Sequence, residues 1–222
     1  MQYVRLNFTQ GTEGWRVWRQ SIIGASDAPT IMGENPYKSI DSLIKEKTGV
    51  GRAFTGNAAT RRGHMLEPKA RLQYNRVVSA NVEPAVLLHS TRKWQAASVD
   101  GIDRHGRRVV EIKCGVKSHE LTARTKRPPS YYYAQLQHIL SITGLQTIDF
   151  YSFLPEQEPI LLVIERDDKY IKQLIAKEEE FTNRYLKSII SCPGCSAKLR
   201  LPRGKEGWIR CQRCQNRFHA IT

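Results

Sequence analysis

The chain of 222 residues reads as an α/β protein, a mixed sheet flanked by helices with a small metal-stabilised module after it. Two observations predict this. Segments with helical spacing alternate with pairs of short apolar runs, in the order helices, strand pair, helix, strand pair, helix. The composition then changes after Ser191, where four of the five cysteines fall into two Cys-x-x-Cys pairs. This length holds one domain of ordinary size, with a sizeable core, plus an appendage. The boundary is set at 188, giving a larger domain over 1–188 and a module over 189–222.

A short helix or turn surrounds Trp15 and Trp18, and Gly24-Ala25-Ser26 opens another helix. A short helix over 41–48 ends on Gly49 as its C-cap. Residues 50–60 are polar and read as a loop. Residues 61–75 have helical spacing, with Pro68 kinking that helix or starting a new one. Strands follow at 85–90, 94–103 and 107–114, the last two forming a hairpin about His105-Gly106. The segment 130–144 is a helix preceded by Pro128-Pro129, with Ser130 as its N-cap. Two strands at 147–153 and 159–165 lead into a long helix over 167–189, which carries Ile171, Leu174, Ile175, Phe181, Tyr185 and Leu186 near one face.

The balance of 35 Lys plus Arg against 21 Asp plus Glu leaves a net charge of +14. A surplus of this size points to a polyanionic partner, nucleic acid being the commonest. The basic residues are scattered rather than gathered on one amphipathic helix, which disfavours a membrane surface. No run approaches the ~20 apolar residues of a membrane helix, and Met1–Gln10 lacks the apolar core of a signal peptide, so a cytoplasmic location is expected.

Phosphodiester hydrolysis needs charge neutralisation on the phosphoryl oxygens and an activated water, both of which carboxylates holding Mg²⁺ provide. Asp100 ends one arm of the expected hairpin. Glu111 and Lys113, two apart on the other arm, share a sheet face. The turn brings Asp100 toward Glu111, while Lys113 suits an attacking water or a developing oxyanion. On its own, Glu-x-Lys on a strand is usually a solvated face. Here Ile112 and Cys114 make the opposite face apolar, and Glu67 on the upstream helix adds a third carboxylate. Among the other polar groups, Ser26 reads equally as a helix cap, Gln135 as an exposed helix residue and at least one of Tyr131, Tyr132 and Tyr133 as packing. The histidines form no ligand-spaced pair.

Cys192, Cys195, Cys211 and Cys214 form two knuckles separated by 15 residues. Four thiolates at this spacing close a tetrahedral shell, so the site is structural and zinc is its metal, with an iron–sulfur cluster as the rival. Residues 192–222 carry seven Lys plus Arg and one acid, Glu206, and too few apolar residues to fold without a metal. These basic residues, with Trp208 and Phe218, suggest a DNA-binding accessory or, alternatively, a protein-docking one.

Several of these segments together resemble the phage lambda exonuclease family of PD-(D/E)XK nucleases, which includes the YqaJ-like viral recombinases. The residues that carry the resemblance are Arg62-Gly63-x-x-x-Glu67-Pro68, Ser98-Val99-Asp100-Gly101, Glu111-Ile112-Lys113-Cys114 and Tyr133-Ala134-Gln135-Leu136-Gln137. Trp15-x-x-x-Arg19 with Gly24-Ala25-Ser26 resembles the family's N-terminal segment, and 163–170 its last strand-to-helix junction. The zinc ribbon lies outside that pattern.

The resemblance implies a restriction-endonuclease-like fold with Asp100, Glu111 and the Ile112 carbonyl as Mg²⁺ ligands, Mn²⁺ being a substitute. It makes Lys113 the water-positioning lysine, Glu67 a further member of the acidic cluster and Gln135 a supporting residue. Arg19 and Ser26 resemble a pocket for a 5′-terminal phosphate, which suits a guanidinium fork and a hydroxyl. Lys117 and His119 are both candidates for a further basic residue on DNA. The implied activity is 5′→3′ digestion of one strand at double-stranded DNA ends, in phage-type recombination, by a homotrimer working with a single-strand annealing protein in a bacterial host cell. An endonuclease with the same core and a non-catalytic DNA-binding adaptor are the alternatives.

Overall fold

The computed structural model describes residues 2–49, 58–186, 189–201 and 206–221. In chain order the elements are β1 (Tyr3–Leu6), α1 (Glu13–Arg19), β2 (Ile23–Gly24), α2 (Ala28–Met32), α3 (Ile40–Thr48), α4 (Ala58–Val77), β3 (Val82–His89), β4 (Gln95–Asp103) and β5 (Val109–Lys113). They continue with α5 (Val116–Thr125), α6 (Tyr133–Thr143), β6 (Thr147–Ser152), β7 (Ile160–Glu165), α7 (Asp168–Phe181), β8 (Ile189–Ser191), β9 (Lys198–Arg200), β10 (Glu206–Arg210) and β11 (Arg217–Ile221). The loop expected over 50–60 lies outside the described residues up to 57, and from Ala58 the chain is already helical.

One seven-stranded sheet runs β1-β3-β4-β5-β6-β7, with β2 added beside β4. It is mixed: β5–β6 and β2–β4 are parallel and the other neighbours antiparallel. The expected hairpin is present as β4–β5, and α5 and α6 lie in the connection to the parallel strand β6.

The two sheet faces bury different partners, as the two-residue alternation of strands requires. On one face Leu136, Ile139, Leu140 and Ile142 of α6 pack with Val99, Ile102, Val109, Ile148 and Phe150. Every residue from Ala134 to Thr143 is buried, so α6 is an interior helix enclosed on all sides. On the other face Ala70 and Tyr74 of α4 pack with Val82, Val110, Ile112 and Tyr151. Leu174 of α7 meets Ala134 of α6 and Ala28 of α2, extending the helical layer.

Three expectations need correction. Pro68 neither ends nor restarts α4, which runs through it. Ser130 does not cap α6: it lies in a short 3₁₀ turn, and the residue before α6 is Tyr132, with no side-chain cap. The last helix does not reach 189. After Phe181 it widens into a π turn over Thr182–Leu186, and Ile189 and Ile190 pair with β9 instead. Elements β1 and α5 have no counterpart in the sequence reading.

Helix ends follow the local chemistry. Ser39 Oγ accepts from the Ser42 amide at 3.2 Å at the start of α3, and Gly49 closes it at φ 66°. Asp167 caps α7 by accepting from the Tyr170 amide at 2.9 Å. No described helix is long and apolar enough to cross a membrane.

Candidate active site and metal centre

The strand β4 carries an irregularity where its chemistry lies. Ala85 pairs with Val99 but Glu83 pairs with Ile102, so Pro84 alone faces Asp100 and Gly101. This is a β-bulge, which bends a strand and re-aims its side chains. Pro84 lacks the amide that a regular ladder needs, so it suits the position opposite a bulge. Asp100 Oδ2 accepts from the Ile112 amide on β5 at 2.7 Å, which ties the carboxylate of one arm to the backbone of the other.

Glu111 and Lys113 are directed to the α6 side of β5, while Val110 and Ile112 face α4. Glu111 Oε1 accepts from Lys113 Nζ at 2.6 Å and from Gln135 Nε2 at 2.6 Å. Glu111 Oε2 is buried and has no hydrogen-bond partner among the described residues. A carboxylate with one oxygen doubly bonded and the other bare is fixed in orientation and short of one electropositive neighbour.

The electrostatics agree. The Asp100 carboxyl is pushed well above the usual carboxylate range, by burial first and then by the charges of Glu111 and Glu67, with Lys113 and the Ile112 amide opposing. Burial pulls the Lys113 ammonium down, but Glu111, Tyr132 and Asp100 outweigh it and hold it above the ordinary lysine range. Mutually repelling carboxylates in a dry place, one with a bare oxygen, fit a divalent cation held by Asp100 and Glu111.

Glu67 is turned toward its own helix: Arg71 Nη1 donates to it at 3.1 Å and His64 Nδ1 lies 3.8 Å away. Arg71 also donates to the Asp100 carbonyl at 2.5 Å, so it braces the bulge. Tyr132 lies under Lys113, whose Nζ is 4.7 Å from the ring centroid, and packs on Phe150. Arg71 was missed in the sequence, although its i,i+4 spacing from Glu67 was a usable signal, whereas Tyr132 is a ring of the 131–133 run, at least one of which was expected to pack. Cys114 is buried just beyond β5 and its thiol is pushed up to about 12, chiefly by burial and then by Asp100 and Glu67, which suits a core residue.

Arg19 and Ser26 do come together. Arg19 Nη2 donates to Ser26 Oγ at 2.7 Å, and its guanidinium lies 4.9 Å from the Trp15 ring centroid. Trp15 Nε1 donates to Ser98 Oγ at 2.9 Å, two residues ahead of Asp100, which links this corner to the bulged strand. Trp18 stacks on Phe8 with centroids 5.0 Å apart, a packing role.

Beneath the corner lies a buried ion pair that the sequence did not reveal. Lys47 Nζ is 2.5 Å from Asp27 Oδ2 and also donates to the carbonyls of Arg19 and Ile22 at 2.9 and 2.8 Å. Asp27 Oδ2 accepts from the Gly24 amide at 2.9 Å, and Oδ1 is 3.9 Å from Arg19 Nη2. Of the two further basic candidates, Lys117 is exposed on α5, whereas His119 is buried with Nδ1 3.0 Å from Ser152 Oγ. His119 therefore does not reach the surface.

The C-terminal cysteines form one cluster, their four Sγ atoms all within 4.8 Å of one another. Cys192 and Cys214 are 3.5 Å apart and Cys195 and Cys211 3.7 Å, too far for disulfides and close to the ~3.8 Å edge of a tetrahedron with Zn–S near 2.3 Å. The two knuckles repeat one pattern. In the first, Ser196 N donates to Cys192 O at 2.8 Å and Ser196 takes φ 57°; in the second, Gln215 N donates to Cys211 O at 2.8 Å and Gln215 takes φ 61°. The Cys214 amide is the chief influence lowering the Cys211 thiol, with burial opposing it and the Arg213 amide assisting. The cluster is compatible with a structural zinc.

Known structures share this architecture. An alkaline exonuclease from Laribacter hongkongensis superposes with TM-score 0.67 at 29% identity, covering 78% of this chain and 92% of that one. A phage related exonuclease from Haemophilus somnus 129PT, at 15% identity, superposes with TM-score 0.57 over 75% of this chain and 94% of that one, a likeness of fold. Among curated proteins, the uncharacterized protein YqaJ of Bacillus subtilis (strain 168) is 26% identical over 182 residues, 80% of this chain. The uncharacterized protein R354 of Acanthamoeba polyphaga mimivirus is 28% identical over 158 residues, 64% of this chain. The matches span 57% and 29% of those two proteins. Residues 14–146, more than half of the chain and the stretch that holds Glu67, Asp100, Glu111, Lys113 and Gln135, match the model of the YqaJ-like viral recombinase domain, and the chain belongs to that family.

Proposed function

We propose that the chain is a Mg²⁺-dependent deoxyribonuclease that digests one strand of linear duplex DNA from its 5′ end. The single observation that carries this reading is the Glu111 carboxylate, held through Oε1 by Lys113 and Gln135, with a buried and bare Oε2. Asp100 and Glu111 would hold the cation, with the Ile112 carbonyl as a further ligand and Glu67 adding negative charge nearby. A bound divalent ion supplies charge neutralisation on the phosphate and a more acidic water. Lys113, kept protonated by its neighbours, orients the water or the developing oxyanion. Gln135 keeps Glu111 from rotating, and Tyr132 closes one side of the lysine. The Arg19–Ser26 corner supports 5′ specificity, since a guanidinium and a hydroxyl match a terminal phosphate monoester. Lys117, exposed on α5, would be the further basic residue that contacts DNA.

The larger domain over 1–188 then holds the catalytic machinery and the module over 189–222 a structural zinc. The family likeness extends the reading to a homotrimer with a single-strand annealing partner, inside a bacterial host cell.

The test is digestion of end-labelled linear duplexes with and without a 5′-phosphate, alongside covalently closed circles. The reading expects Mg²⁺-dependent release from 5′ ends, faster with the phosphate, and intact circles. Rapid cutting of circles would instead establish an endonuclease.

A further inference from the structure

The β10–β11 hairpin of the C-terminal module has two unlike faces. Its register pairs Trp208 with His219 and Arg210 with Arg217, and these four side chains are exposed together. The other face carries Ile209 and Phe218, which are half-buried. Trp208 is 64% exposed, far from what a large apolar ring adopts in a core. The Arg217 guanidinium lies 5.5 Å from the Trp208 ring centroid, and His219 stands edge-on to it with centroids 5.7 Å apart. Glu206 is the one acid in the stretch 192–222, and it sits at the end of this face, 3.6 Å from His219. The sequence paired Trp208 with Phe218; the strand register separates them and puts Arg210, Arg217 and His219 beside the indole instead.

We propose that this face binds single-stranded DNA by stacking an unpaired base on Trp208, with Arg210 and Arg217 on the flanking phosphates. The chemistry selects the ligand. An indole flanked by guanidiniums offers a π surface and two phosphate partners, which is how sequence-tolerant single-strand binders hold their ligand. A duplex keeps its bases stacked on each other and offers no free face to the indole. The choice of DNA over RNA rests on the proposed nuclease reading, which leaves one strand undigested and unpaired. The binding face itself needs no catalytic residue.

The full chain is titrated with an oligothymidylate lacking a 5′-phosphate, in buffer without Mg²⁺, while tryptophan fluorescence is followed. Trp208 is the most exposed of the four tryptophans, so wild type should show saturable quenching, and Trp208→Phe, followed by the anisotropy of a labelled oligothymidylate, should keep most of the affinity. Trp208→Ala should weaken binding about tenfold. Arg210→Gln with Arg217→Gln should also weaken it and flatten its salt dependence. Affinity for a blunt duplex of the same length, which the proposed nuclease site also takes up, should change less than about twofold in Trp208→Ala, and an oligouridylate should bind more weakly than the oligothymidylate. Unchanged oligothymidylate affinity in Trp208→Ala, equal loss in Trp208→Phe, an equal loss of duplex affinity in Trp208→Ala, or tighter binding of the RNA would overturn the proposal. Digestion of 5′-phosphorylated duplex by the same preparations is read separately, so loss of nuclease activity with intact oligothymidylate binding would sink the nuclease reading alone.

Discussion

Replacing Lys47 by Met should destabilise the protein sharply, and the structure gives the size. Lys47 and Asp27 are 2% and 1% exposed, and their pairing is completed by three carbonyl or amide contacts. Burial is the largest influence on both groups. It drives the Lys47 ammonium below the ordinary lysine range despite Asp27. For Asp27, burial would raise the carboxyl, but Lys47 and then Arg19 pull it down to about 2. The intact pair therefore gains little over an apolar filling, while a broken pair leaves a lone buried charge at a cost of about 3–5 kcal/mol. For a domain of this size that is a fall in Tm of roughly 6–20 °C.

Adding Asp27→Asn, which retains an acceptor for the Gly24 amide, should recover much of the loss. The pH profile supplies a second check. Asp27 falls from an ordinary 3.8 to about 2 in the folded protein. Its contribution is therefore fully present above pH 3.8 and is lost as the pH drops toward 2, amounting to about 2 kcal/mol. Urea unfolding across pH 2 to 6 measures both effects. In Lys47→Met this acid-side loss should shrink, and the preference for 5′-phosphorylated ends should fall with the loosened Arg19 corner. A cost below about 1 kcal/mol for Lys47→Met would refute the argument that the pair is desolvated and interdependent.

Three further outcomes follow from the same geometry. Gln135→Ala should reduce turnover about 10- to 100-fold with DNA affinity little changed, because Glu111 Oε1 loses a fixed donor; unchanged turnover at saturating duplex would remove Gln135 from the site. A Cβ at Gly101 would sit 2.5 Å from Val82 Cγ2 and 2.8 Å from Val110 Cγ1, so Gly101→Ala should cost about 1–3 kcal/mol in urea unfolding and lower activity through its neighbour Asp100. Elemental analysis should find about one zinc per chain, lost in Cys211→Ser, with near-ultraviolet signals of the larger domain retained; a metal-free, equally stable wild type would contradict the zinc assignment.

What the sequence disclosed and what it hid have physical reasons. Strands β4 to β7 were legible because apolar residues recur with a two-residue period or as Val- and Ile-rich runs. Glu111, Lys113 and Asp100 were legible because their juxtaposition depends only on strand alternation and one short turn. The bulge was not, since Pro84 and Gly101 signal it only once β3 and β4 are known to pair. Strand β1 has four residues and its pairing with β3 joins segments some eighty residues apart. Helix α5 begins after Gly115 without a side-chain cap and contains Thr122 and Thr125, so its local propensity is weak. Asp27 and Lys47 belong to different helical segments, and nothing local marks them as partners. Ile189 and Ile190 continue the apolar spacing of α7, yet the pairing of β8 with β9 takes them. In that case a tertiary partner overrode a correct local pattern.

We propose that Asp100, Glu111 and Lys113 form a cation-dependent phosphodiesterase centre. Its most direct test compares wild type with Glu111→Ala and Lys113→Ala, measuring Mg²⁺-dependent digestion of a 5′-phosphorylated linear duplex and, separately, affinity for the same duplex. Both variants should lose digestion by at least about a thousandfold while binding DNA nearly as well as wild type. Digestion at the wild-type rate in either variant would contradict it.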